Sequence, residues 1–129
     1  MAPHRYPFLL VDRPAAGAGE EPAVEIGLTA NAALLRGEGK LSLFLLIEIA
    51  AQAALHLAGD SAPAGGQVLL AGVEELSLVN EDARPLEAGD RLLVRGREEA
   101  KIAKLIKMRV EIDRDGARLA QGILLLVAA

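Results

Sequence analysis

An α+β fold, one apolar helix laid on an antiparallel sheet of about five strands, is predicted by three features of this 129-residue chain. Residues 43–58 are apolar almost all round and rich in Ala and Leu, so they read as a helix wrapped by other structure. Four later segments have strand length and are separated by turn signals, with no second strong helix among them. One segment ahead of the helix, "AVEIGLT", alternates apolar and other residues with the period of a strand.

Taken in order, Pro3, Pro7 and Pro14 punctuate the first stretch, which should be extended or turn-like and lay Phe8, Leu9 and Leu10 on a core. "AAGAGEEP" reads as a connection, and Val24, Ile26 and Leu28 then mark the inward face of the first clear strand. Ser42 suits the N-cap of the helix and Gly59 its C′ position. Beyond the loop "DSAPAGG" come "QVLLAGVEELSLV", "DRLLVRGREEA", "KLIKMRVEID" and "ARLAQGILLLVA". Met108, Val110 and Ile112 alternate with Lys107, Arg109 and Glu111, as in a sheet with one wet face. Asp115-Gly116 is a strong hairpin signal, because a type I′ turn needs positive φ at both central positions. "EAKIAKLIK" has a helical composition, but its alternating neighbours favour a strand. No linker is evident, so residues 1–129 read as one domain.

Composition excludes several classes of function. A formal net charge of −4 gives no general attraction for nucleic acid or an anionic membrane. With aromatic residues at 2%, only Tyr6, Phe8 and Phe44, the stacking platforms of single-stranded nucleic-acid binders are absent. The sequence has no cysteine, which removes thiol nucleophiles and zinc thiolates, and two histidines, His4 and His56, make a poor metal site. No cofactor is expected. No apolar run approaches the roughly 20 residues of a membrane span, and "MAPHRYPFLLVDR" lacks a signal-peptide layout, so a cytoplasmic protein without a membrane segment is expected.

Three blocks, in order along the chain, resemble the 3-hydroxyacyl-[acyl-carrier-protein] dehydratases of fatty-acid synthesis. Residues 3–13, "PHRYPFLLVDR", are similar to that family's N-terminal signature. "LLIEIAAQAA", residues 45–54, resembles its helix signature, in which Glu and Gln stand four apart, and residues 70–92 resemble a third block built on a Pro-x-x-x-Gly-Asp turn. The resemblance implies a hot-dog fold: a curved antiparallel sheet of about five to six strands wrapped round one central apolar helix, paired into a dimer with sites between protomers. It also implies an acyl thioester of acyl carrier protein or CoA as substrate. Elimination of water across C2 and C3 needs a base for the C2 proton, an acid for the leaving hydroxyl, and donors for charge on the thioester oxygen.

On this resemblance Glu48 matches the family's helix acid and Gln52 its companion; at i and i+4 the two share a helix face. Leu43 and Phe44, at the helix start, are expected to contact substrate together with Gln52. The family's loop histidine is missing. Asn31-Ala-Ala-Leu-Leu-Arg-Gly37 follows the pattern up to it, but Glu38 occupies its position, and the loop that follows is shorter by roughly four residues. In an active enzyme a substitute base such as Glu38 would be needed, and the chain would then be a hydro-lyase. Plainer accounts stand beside these: Glu48 as a fold-stabilising polar contact, and Glu38 as a solvated loop charge balanced by Lys40. His56 is rotated roughly 80° from Glu48 and suits the helix macrodipole; His4 belongs to the proline-rich segment. The cluster Arg95, Arg97, Lys101, Lys104, Lys107 and Arg109 would either receive an acidic carrier protein or be a solvated sheet face with its own Glu98, Glu99 and Glu111. Two alternatives to an active homodimeric dehydratase remain: a non-catalytic partner in a heterodimer with a His-bearing paralogue, and an acyl thioesterase.

Overall fold

A computed structural model describes residues 9–14, 23–28, 43–58, 67–80, 83–87 and 89–128, without the side chains of 9–14 and of Phe44. Two short strands, β1 (Leu9–Pro14) and β2 (Ala23–Leu28), precede the helix α1 (Leu43–Leu57). Four longer strands follow: β3 (Val68–Leu78), β4 (Arg91–Ile102), β5 (Leu105–Arg114) and β6 (Ala117–Ala128). They form one antiparallel sheet in the order β1-β2-β4-β5-β6-β3. The six strands agree with the predicted range, and the first proline-punctuated segment contributes an edge strand from Leu9. Ser42, Gly59, Phe8 and His4 lie outside the described residues.

Helix α1 follows from composition: Leu and Ala dominate it, Glu48 and Gln52 are also good helix formers, and neither Gly nor Pro interrupts it. Its hydrogen bonding runs on to Ala58, whose N–H donates to the Ala54 carbonyl at 2.9 Å. All six strands contact it. Leu45, Leu46, Ile49, Ala50, Ala53 and Ala54 are fully buried, against Val24 and Ile26 of β2, Val94 of β4, Ile106, Val110 and Ile112 of β5, and Leu124 and Leu126 of β6. The predicted alternation on β5 is observed, with Lys107, Arg109 and Glu111 on the wetter face.

Curvature has a visible source. Ala71 and Glu74 are extra residues on β3 relative to β6, and such bulges bend a strand and strengthen its twist. Where β3 crosses β6, a Cβ on Gly122 would lie 2.2 Å from the Glu75 carbonyl oxygen and 2.7 Å from the Leu76 Cα, so only glycine permits this approach. Gly96 on β4 does a gentler version for the helix, where a Cβ would meet Leu57 Cδ1 at 2.7 Å and Met108 Sδ at 3.2 Å.

The hairpins show what turn chemistry made legible. Asp115 (φ 53°) and Gly116 (φ 80°) form the β5–β6 turn with both residues left-handed, as predicted. The β4–β5 turn falls at Ala103-Lys104, and β4 runs on through Lys101 and Ile102. Ala103 takes the left-handed conformation (φ 53°) without being Gly, Asn or Asp, so no turn signal marked the position.

A buried arginine organises the β3–β4 connection. Arg114, 7% exposed, donates to the Pro85 and Arg84 carbonyls and to Asp90 Oδ2. Asp90 also accepts from both terminal nitrogens of Arg84 and from the Glu87 N–H. Its backbone and that of Gly89 in turn bond Leu28 at the end of β2. Burial works to raise the pKa of Asp90, but the Arg84 and Glu87 hydrogen bonds and the Arg84 and Arg114 charges outweigh it, and the carboxyl is held below its ordinary value.

Gly122→Ala should lower unfolding stability by about 3 kcal/mol, and Gly96→Ala by only about 1 kcal/mol because side-chain tips yield more readily than backbone; urea unfolding measures both. A carboxylate with a depressed native pKa stabilises above its unfolded value and loses that contribution as pH falls through the native one. Asp90→Asn should therefore lower the urea midpoint at neutral pH, and the deficit should shrink as pH falls below the ordinary carboxylate value of 3.8.

Candidate active site

Glu48 is half-buried near the middle of α1, on a helix otherwise almost wholly apolar. Its face is the less completely covered one: Ala51 and Leu55 retain 7% exposure, whereas Ile49, Ala50, Ala53 and Ala54 retain none. Gln52, 4% exposed, lies one turn on, about 40° round the axis. The helix thus brings Glu48 and Gln52 together as expected. No hydrogen bond joins them, and among the described residues no hydrogen bond or ion pair reaches the Glu48 carboxylate.

Leu43 opens the helix and is 40% exposed. Five residues before Glu48, it lies about 140° away round the axis, so the helix does not place these two side by side. Glu38 and the Gly-Glu-Gly-Lys turn lie outside the described residues, as does the Phe44 side chain. His56 is exposed in the last helical turn, at the dipole's negative end.

The basic cluster on β4 and β5 is largely answered by the sheet's own carboxylates. Arg95 pairs with Asp113, Lys107 with Glu74 and Arg109 with Glu99. Arg118 of β6 bonds both Asp113 and Glu111. Pairing of this kind matches the plainer account, a solvated sheet face with internal charge balance. Reasoning from sequence did not single out Arg114, Arg84 or Asp113. The Pro-x-x-x-Gly-Asp turn around Asp90 was a signal, but the buried guanidinium that holds it comes from the far end of β5.

Among the described residues no group of His, Cys, Asp and Glu side chains could hold a metal ion, and no helix is long and apolar enough to cross a membrane. Acid–base chemistry and hydrogen bonding are what the side chains on this helix face offer.

No protein-family model matches the chain. A curated relative, the 3-hydroxyacyl-[acyl-carrier-protein] dehydratase FabZ of Paramagnetospirillum magneticum, is 31% identical over 131 aligned positions, which span 95% of this chain and 78% of that protein. Among solved structures, the dehydratase heterocomplex ApeI:P from Xenorhabdus doucetiae superposes with a TM-score of 0.71 at 18% identity, covering 99% of this chain and 88% of that one. A hypothetical thioesterase with coenzyme A from Streptococcus pneumoniae gives 0.65 at 13% identity, covering 96% and 88%. These structural likenesses show the hot-dog fold.

If the Glu48 carboxylate were a fold-stabilising contact, removing it would destabilise the chain. With no hydrogen bond or ion pair made to it among the described residues, it costs desolvation instead, so Glu48→Leu should raise the urea midpoint, with a gain of about 1 kcal/mol.

Proposed function

The chain belongs to the 3-hydroxyacyl-[acyl-carrier-protein] dehydratase family, and on that premise we propose that it acts on a 3-hydroxyacyl thioester of acyl carrier protein or CoA, with Glu48 as the general acid. One observation carries this reading: an acid to which no hydrogen bond or ion pair is made among the described residues stands half-buried on an apolar helix. In the reaction a base removes the C2 proton, the C2–C3 double bond forms, and Glu48 protonates the C3 hydroxyl so that it leaves as water. Gln52, beside Glu48, orients the acyl group through its amide, exposed Leu43 offers it apolar surface at the helix start, and Phe44 is assigned the same part from its place in the sequence. Glu38 takes the part of the base.

A second copy is proposed along the edge of β3. Among the described residues this strand has no partner on its outer side, and it exposes Leu69, Leu70 and Val73, the pattern of an edge that another strand covers.

A second reading is favoured by one specific fact: Glu38 stands where the family's loop histidine would be, and His56 of α1, solvent-exposed about 80° round the helix from Glu48, does not replace it. A mixed dimer, in which a His-bearing paralogue supplies the base, would complete the site. The fold likeness to a dehydratase heterocomplex is consistent with it.

Purified chain incubated with 3-hydroxyacyl-carrier protein should yield the 2,3-unsaturated thioester by mass spectrometry, and Glu48→Gln should slow this at least about a hundredfold. No turnover by the chain alone, together with a rate above that of a His-bearing dehydratase alone when the two are mixed, would select the mixed dimer. Release of free acid would instead identify a thioesterase, and no product from the chain alone with no rate gain on mixing would refute a catalytic Glu48.

A further inference from the structure

Between β3 and β4 the chain leaves the sheet, and residues 83–87, Gly89 and Asp90 are bonded largely to one another. Arg84 donates to the two carboxylate oxygens of Asp90 at 3.1 and 2.9 Å, and the Glu87 N–H donates to Asp90 Oδ2 at 2.9 Å. The Asp90 N–H donates back to the Glu87 carbonyl at 3.1 Å. These bonds begin and end within the connection, so they hold it together as one body.

Three attachments fasten that body to the rest of the fold. Leu86, 1% exposed, belongs to the buried apolar cluster. The Leu28 N–H donates to the Asp90 carbonyl at 3.0 Å, and the Gly89 N–H to the Leu28 carbonyl at 2.9 Å. The third is Arg114, whose backbone is paired in the sheet with Leu92 and Ala117. Its guanidinium reaches the Arg84 carbonyl at 3.0 Å, and the Pro85 carbonyl and Asp90 Oδ2 at 3.3 Å.

The attachments are coupled through Asp90, which takes part in two of them, by its carboxylate on Arg114 and by its carbonyl on Leu28. Moving Asp90 alone would leave a guanidinium that is only 7% exposed short of its anion. An unpaired buried charge costs more than the bond itself contributes, so partial release is disfavoured. We propose that the β3–β4 connection is a strap latched by Arg114, which lifts off the sheet as one unit while α1 and the ladders of β4, β5 and β6 stay folded. Those ladders contain none of the strap's bonds, and lifting the whole strap opens Arg114 to water instead of stranding it.

Native-state hydrogen exchange of the full chain in low concentrations of urea tests this. The Leu28 and Gly89 amides should open with one common constant. Its urea dependence should be shallower than that of amides in the middle of β5, because lifting the strap exposes less surface than global unfolding. Arg114→Met should raise that constant about tenfold or more. Arg84→Met removes side-chain bonds that lie inside the strap and should change it by less than about threefold. Unequal constants for Leu28 and Gly89, a urea dependence as steep as that of β5, or an Arg84→Met effect as large as that of Arg114→Met would each overturn the proposal. The first two outcomes are read on the wild type, so they decide it even if Arg114→Met fails to fold.

Discussion

The structure depends on burying a fifteen-residue apolar helix, α1, inside a single curved sheet. A helix with no polar face cannot remain in water, so strands from both sides of it in sequence must converge on it. Convergence requires the sheet to bend, and the bend is visible in the two bulges of β3 and the glycine-only crossing at Gly122. Coverage is tightest over Ile49, Ala50, Ala53 and Ala54 and loosens towards Ala51 and Leu55. Glu48 occupies the looser side. The same packing that makes the fold thus leaves one acid beside apolar surface and partly open, the position from which the proposed proton transfer would take place.

Electrostatics sharpens that contrast. Several other described carboxylates are held by arginine or lysine: Asp113 between Arg95 and Arg118, Asp90 between Arg84 and Arg114, Glu99 by Arg109 and Glu74 by Lys107. On the exposed sheet face such pairs contribute little stability individually. The pairs at Arg114 differ, because a buried guanidinium also holds two carbonyls and ties the β3–β4 connection to the end of β2. The Glu48 carboxylate on the central helix has no such partner among the described residues, and a change there should alter the proposed chemistry more than architecture.

How far the sequence led is best judged residue by residue. The helix, the alternation of β5 and the Asp115-Gly116 turn were legible because each is a local pattern with a strong physical cause. The turn at Ala103-Lys104 was not, since alanine carries no preference for positive φ and hairpin closure imposes it. The place of β3 at the far edge and its bulges were also hidden, being settled by pairing between distant segments. At the site, the spacing of Glu48 and Gln52 put them on one face from sequence alone. Whether Glu48 had a partner was a question only three-dimensional packing could answer, as was the burial of Arg114 under the Pro85 carbonyl. The sheet-face pairing of Lys107 with Glu74 joins β5 to β3 across an intervening strand, so no local reading of the basic cluster would have revealed it.

The central claim is that Glu48 is kept for a substrate hydroxyl rather than for the fold. A crystal structure of the chain with a non-eliminating 3-hydroxyacyl-pantetheine analogue tests it most directly. The account predicts the C3 oxygen within about 3 Å of a Glu48 carboxylate oxygen, with the acyl chain running over the helix face of Glu48 and Gln52. An analogue bound away from this face, or Glu48 engaged by a basic side chain of a neighbouring subunit with no room for a hydroxyl, would contradict it.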